Sequence, residues 1–70
     1  MNWIDTPESS NISRIGYDDG NQVLYVEFKS GGTYQYFDVA EQVFADMKSA
    51  SSKGQFLAQN IKGAYRYARV

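Results

Sequence analysis

Between positions 22 and 29 apolar and polar residues alternate. Leu24, Val26 and Phe28 fall on one face, with Val23, Tyr25, Glu27 and Lys29 on the other. A period of two in β-branched and aromatic residues predicts a strand with one buried face. Asp18-Asp19-Gly20-Asn21 before it reads as a turn, because these residues tolerate positive φ. Residues 11–17 and 33–37 read as two further strands, the second after Ser30-Gly31-Gly32. The period then changes. Val39, Val43, Met47 and Ala50 recur at helical spacing, with Phe44 beside them. Asp38 and Glu41 have the spacing of a capping box, and Lys48 suits the C-terminal end of a helix. Ser52 and Gln55 repeat that spacing and open a second helix carrying Phe56, Leu57 and Ile61, with Gly63 as its stop. Residues 64–70 alternate again and read either as a fourth strand or as an extended tail. The expected fold is α+β: a three-stranded antiparallel β-meander, then two short helices and a C-terminal extended segment. The helices should pack on the Leu24/Val26/Phe28 face.

The loop between the second and third strands sets the orientation of the tyrosines. If Gly31-Gly32 is a two-residue loop, Lys29 pairs with Tyr34, and Tyr34 and Tyr36 lie on the Tyr25 face, away from the core. If Ser30-Gly31-Gly32 is a three-residue loop, Phe28 faces Tyr34, Val26 faces Tyr36, and both tyrosines join the core face. A one-residue change inverts every side chain of a strand. Glycine at a left-handed loop position favours the second arrangement.

Residues 1–8 read as a flexible polar lead-in, in which Pro7 holds Thr6 extended. Trp3 and Ile4 interrupt it and either fold onto the core or form an exposed apolar tip. Seventy residues make one domain, 1–70, with neither linker nor repeat. The chain has no cysteine and no histidine. Disulfides, thiolate zinc sites, thiol nucleophiles and imidazole chemistry are thereby excluded. Stability must come from packing, for which 43% hydrophobic residues are available. No apolar run spans a bilayer and no export signal is visible, so the cytoplasm and no membrane are expected.

The net charge of −1 hides an asymmetry. Residues 1–47 hold all eight acids and only Arg14 and Lys29, a charge of −6; residues 48–70 hold five bases and no acid. This is either a basic pole or a tail that neutralises the acidic first half.

Catalytic patterns are sparse. Ser51, Ser52 and Lys53 are adjacent, but adjacent helical residues do not face one another, and the serines read as caps. Asp18 and Asp19 read as turn residues rather than a metal or acid–base pair. Ser30-Gly31-Gly32 lies between strands, not between a strand and a helix as a phosphate loop requires. No enzyme activity, cofactor or metal is expected. What remains is aromatic and basic: Tyr17, Tyr25, Tyr34 and Tyr36 on strands, and Lys62, Tyr65, Arg66, Tyr67 and Arg69 near the C-terminal end. Sheet aromatics interleaved with Arg and Lys can stack unpaired bases and screen phosphates. The same tyrosines also suit half-buried strand positions.

Ser9-Ser10-Asn11-Ile12, Ile15-Gly16-Tyr17, the Leu24/Val26/Phe28 alternation and Gly31-Gly32 come first in an ordered set. Tyr34-x-Tyr36-x-x-Val39, Ser52-Lys53-Gly54, Phe56, Ile61 and Tyr65-x-Tyr67 complete it. In this set the chain resembles the KTSC domain family, named for the C-terminal extension of some lysyl-tRNA synthetases and found also in stand-alone bacterial and phage proteins. The resemblance implies a small α+β domain and, through the synthetase context, RNA binding. Ala40 departs from the family's usual proline, Leu57-Ala58 from Phe-Asn, and Gln55 and Arg66 from Arg and Pro.

Two functional readings follow. In the first, the protein is a non-catalytic accessory module that binds RNA weakly. Tyr17, Tyr34, Tyr36, Tyr65 and Tyr67 would stack bases, and Lys53, Lys62, Arg66 and Arg69 would meet phosphates. In the second, it is a protein-interaction module or small homo-oligomer. Its contact surface would then be the Trp3-Ile4 tip or an open sheet edge.

Overall fold

The computed structural model describes all residues from Met1 to Val70. Its central element is an antiparallel sheet in the order β1 (Asn2–Asp5), β2 (Ile12–Asp18), β3 (Val23–Phe28), β4 (Thr33–Tyr36), β5 (Tyr67–Arg69). Helices α1 (Glu41–Ser49) and α2 (Lys53–Phe56) lie between β4 and β5 in sequence, and α2 runs on into a π-helical turn over Leu57–Ile61. The α+β class holds, but the expected meander is the centre of a five-stranded sheet rather than the whole of it.

Both added strands are edges. The first eight residues are not all lead-in. β1 pairs with β2, placing Trp3 opposite Gly16 and Ile4 opposite Ile15. Ile4 packs against the core. On the opposite face the Trp3 ring covers Gly16 so closely that a Cβ there would lie 2.9 Å from it. Arg14 lies over the same indole, 4.1 Å from its centroid, and bridges to Glu27 at 3.2 Å. Thr6 anchors the strand's end, since its buried hydroxyl donates to the Ile12 carbonyl at 2.8 Å. At the other edge, residues 64–70 resolve as strand, with Tyr36 opposite Tyr67 and Tyr34 opposite Arg69.

The β3–β4 loop has three residues, Lys29, Ser30 and Gly31. Phe28 N–H donates to the Gly32 carbonyl at 2.8 Å, and Gly31 takes φ 108°. Val26 therefore faces Tyr34 and Leu24 faces Tyr36. The three-residue reading has the correct parity. The register slides by two because Gly32 belongs to the ladder and not to the loop.

The core joins Ile12, Ile15, Tyr17, Leu24, Val26 and Tyr36 of the sheet to Val39, Phe44, Met47, Leu57 and Ile61 of the helical layer. Asp38 does not cap α1. It takes φ 60° two residues before Ala40, the N-cap, which lends no side-chain cap. Val39 explains the delay. Its N–H is bound by the Gln22 carbonyl, its carbonyl by the Tyr17 hydroxyl, and its side chain is wholly buried. The chain is held extended there and turns into a helix only afterwards. Ser52 caps as expected, accepting from Gln55 N–H at 3.2 Å, and Gly63 ends the helical segment at φ 81°.

Two outcomes follow. Gly16→Val forces the indole off the sheet and should destabilise the protein by about 1–3 kcal/mol in urea unfolding. That penalty should shrink when Trp3→Ala is already present, and equal penalties in both backgrounds would contradict the packing described. Ala40 has φ −67° and an N–H without a backbone partner, a geometry that already suits proline. Ala40→Pro should therefore stabilise by about 0.4–1 kcal/mol, read as a higher denaturation midpoint.

Candidate functional site

Because β4 turns Tyr34 and Tyr36 toward the helical side, and β5 adds Tyr67 and Arg69 beside them, aromatic rings gather where the sheet runs out from under the helices. The resulting cleft measures about 580 Å³. Phe28, Tyr34, Tyr36 and Tyr67 supply its rings, Ser30 and Gly32 one end, and Lys62, Gly63 and Arg69 its remaining wall. Tyr34 meets Phe28 edge-on at 5.5 Å, and Tyr67 lies 5.7 Å from Tyr34 and 5.8 Å from Tyr36. Such tilted contacts fix the ring positions. Tyr36 is 3% exposed and Tyr67 61%, so the cleft runs from a rigid floor to an open rim.

The hydroxyls divide the tyrosines into two groups. Tyr17 donates to the Val39 carbonyl at 2.6 Å, and Tyr25 accepts from Gln35 at 2.9 Å. The hydroxyls of Tyr34, Tyr36 and Tyr67 take part in none of the side-chain hydrogen bonds. Burial raises the Tyr36 phenol above its ordinary pKa of 10.0, and its neighbours Tyr34 and Tyr67 add to the effect. Burial likewise raises Tyr17, helped by Glu41, Asp19 and Asp18.

Of the residues expected to bind, the structure brings Tyr34, Tyr36, Lys62, Tyr67 and Arg69 together. It sets others apart. Tyr17 is a core residue, stacked on Phe44 at 5.1 Å. Its ring is closed to a base because Val39 and Phe44 need it. Tyr65 packs against the core. Arg66 lies over the Phe37 ring and reaches Asp38 at 3.5 Å. Lys53 is only 13% exposed and pairs with Glu8 at 3.3 Å. Phe28 and Gly32 were not among the expected site residues. Its alternation places Phe28 on the core face, where it does pack, but at the last residue of β3 it also borders the cleft, which alternation alone does not show.

Residues 8–65 match the KTSC domain family. The chain belongs to that family. It is 39% identical over 64 residues to a lysine–tRNA ligase of Nostoc punctiforme, covering 91% of this chain and 11% of that protein. The chain thus spans about a tenth of the length of the tRNA ligases it matches. A Tsukamurella paurometabola protein is 41% identical over 59 residues, 84% of this chain and 88% of that one. A crystal structure of a KTSC domain protein from Yersinia pestis superposes with a TM-score of 0.89 at 38% identity, covering 99% of both chains. No helix is long and apolar enough to cross a membrane.

The raised phenols make a pH prediction. A tyrosine whose pKa is higher folded than unfolded lends stability that is intact below about 10 and is lost as pH climbs through the folded value. Stability should therefore fall on the alkaline side of pH 10, and Tyr36→Phe, which cannot ionise, should flatten that decline. Urea midpoints collected across the alkaline range test this, and an unchanged slope in the variant would refute it.

Proposed function

We propose that this protein is a non-catalytic module that binds unpaired nucleic acid, RNA above all, through the Tyr34–Tyr36–Tyr67 cleft. One observation carries the reading: an aromatic floor with three unpartnered phenols, rimmed by two cations that no carboxylate neutralises. Lys62 and Arg69 form none of the three ion pairs, whereas Arg14, Lys53 and Arg66 are each paired. The cleft volume falls within the usual range for small-ligand sites, about 300–1,000 Å³. A base stacked on the rings would gain about 1–3 kcal/mol. Its phosphates would meet Lys62 and Arg69, and the free phenols can donate to base edges or to a 2′-hydroxyl. The relatives support RNA as the class of nucleic acid, since the Nostoc punctiforme protein is a lysine–tRNA ligase.

A second reading, a protein contact through β5, rests on two of the exposed large hydrophobics, Tyr67 and Val70, lying on or beside that edge strand.

Labelled single-stranded RNA titrated by fluorescence anisotropy at low and moderate salt separates the two. Binding should weaken with salt, Tyr67→Ala should cost about 1–3 kcal/mol, and Arg69→Gln should reduce the salt slope by about one. No binding at low salt would overturn the RNA reading, because counterion release makes that condition the most permissive. Self-association lost in Tyr67→Ala, seen by light scattering, would favour the edge contact instead.

A further inference from the structure

The segments 8–11 and 51–54 take no part in the aromatic cleft, yet the fold brings them together. They line a second depression of about 260 Å³ in which no residue is hydrophobic. Much of its polarity is spent on the fold. The Ser9 hydroxyl accepts from Ile12 N–H at 3.1 Å and donates to Asn11 Oδ1 at 3.2 Å. Ser52 accepts from Gln55. Lys53 Nζ donates to the Ala50 carbonyl at 3.1 Å and pairs with Glu8.

What remains leans toward donors. Asn11 Nδ2, the hydroxyls of Ser10 and Ser51, and the third ammonium proton of Lys53 have no partner within the chain. The amide and the ammonium can only donate, and the two hydroxyls can donate as well as accept. The Lys29 ammonium holds the Ser9 carbonyl and adds positive charge beside Glu8. With Lys29, Lys53 and Glu8 charged, the local balance is one positive. Gly54 lets the two segments approach, because a Cβ there would lie 2.8 Å from Asn11 Oδ1.

The Lys53–Glu8 pair is unequal. The Lys53 side chain is 13% exposed and that of Glu8 54%. The lysine is therefore fixed and the carboxylate sits at the mouth. A carboxylate offers two oxygens, and a phosphate offers more to the surplus of donors. We propose that this depression is an oxyanion site for a phosphate group, and that the Glu8 carboxylate is its internal occupant, displaced when phosphate binds. The site does not rest on the aromatic cleft.

The experiment is a ¹H–¹⁵N NMR titration of the intact chain with inorganic phosphate, ionic strength being held constant with chloride. The backbone amides of 8–11 and 51–54 and the Asn11 side-chain amide should shift saturably. Those of Gly32 and Tyr67 should not. Glu8→Gln removes the competing charge and should bind roughly fivefold tighter, the effect of one unit charge about 4 Å away in a water-like medium. Lys53→Gln should abolish the shifts. Because the decisive variant gains affinity, misfolding cannot imitate it. A second titration with single-stranded RNA identifies the source of the phosphate. Shifts of the same amides, reversed by inorganic phosphate, assign a nucleic-acid backbone; phosphate binding without them assigns free phosphate. Glu8→Gln showing no saturable shift, or binding no tighter than the parent, would overturn the proposal. Tyr67→Ala should leave the phosphate shifts intact, so failure of the cleft reading is seen separately.

Discussion

Gly31, at φ 108°, closes a three-residue loop between Phe28 and Gly32, and the position of every aromatic ring in β4 follows from that closure. With one residue fewer, Tyr34 and Tyr36 would point to the face that carries Trp3 and Tyr25. As built, they share a face with Leu24 and Val26. Tyr36 then completes the core, Tyr34 half-completes it, and Tyr67, paired with Tyr36 from the next strand, extends the same surface outward. Core and cleft are thus one aromatic-aliphatic surface, divided only by where the helical cover stops.

Charge is apportioned by the same geometry. The acidic first half and basic last third do partly neutralise one another. Glu8 reaches Lys53 and Asp38 reaches Arg66. The exposed Arg66–Asp38 pair contributes little to stability, but both pairs decide which cations remain available. Lys62 and Arg69 stay unpaired beside the rings. A nearly neutral chain therefore presents a locally basic aromatic edge, which net charge alone would hide.

The strands and helices with a clear period were legible in the sequence, because a buried face imposes that period directly. The edges were less so. β1 has four residues ahead of Pro7 and too few alternations to register. Its signal lay elsewhere, in Gly16, a glycine within a strand that marks a close approach, here that of Trp3. Asp38 misled as a cap because a capping box is a local pattern, whereas Val39 is held by two long-range hydrogen bonds, from Tyr17 and to Gln22. The tyrosines of the site were legible as residue types. Their division into core and rim was not. Tyr17 and Tyr36 both enter the core, whereas Tyr67 stays 61% exposed, and only the extent of the helical cover separates them.

The width of the sheet explains why a cleft exists at all. Five strands at about 4.8 Å spacing make a surface roughly 20 Å across between the outer axes. The core residues of that surface come from β2, β3 and β4, with none from β5, whose three residues are all exposed. The short helical layer therefore covers the middle strands and leaves β5 uncovered on the helical side. An edge strand in that position would ordinarily carry small or charged residues to avoid a sticky surface. This one carries Tyr67 next to Arg69, opposite Tyr36 and Tyr34. The Tyr67 ring covers Tyr36 of the core on one side, 5.8 Å away, and leaves its own outer surface open. The strand thus serves two surfaces at once: Tyr67 closes over the buried Tyr36, and together with Arg69 it builds the open wall of the cleft.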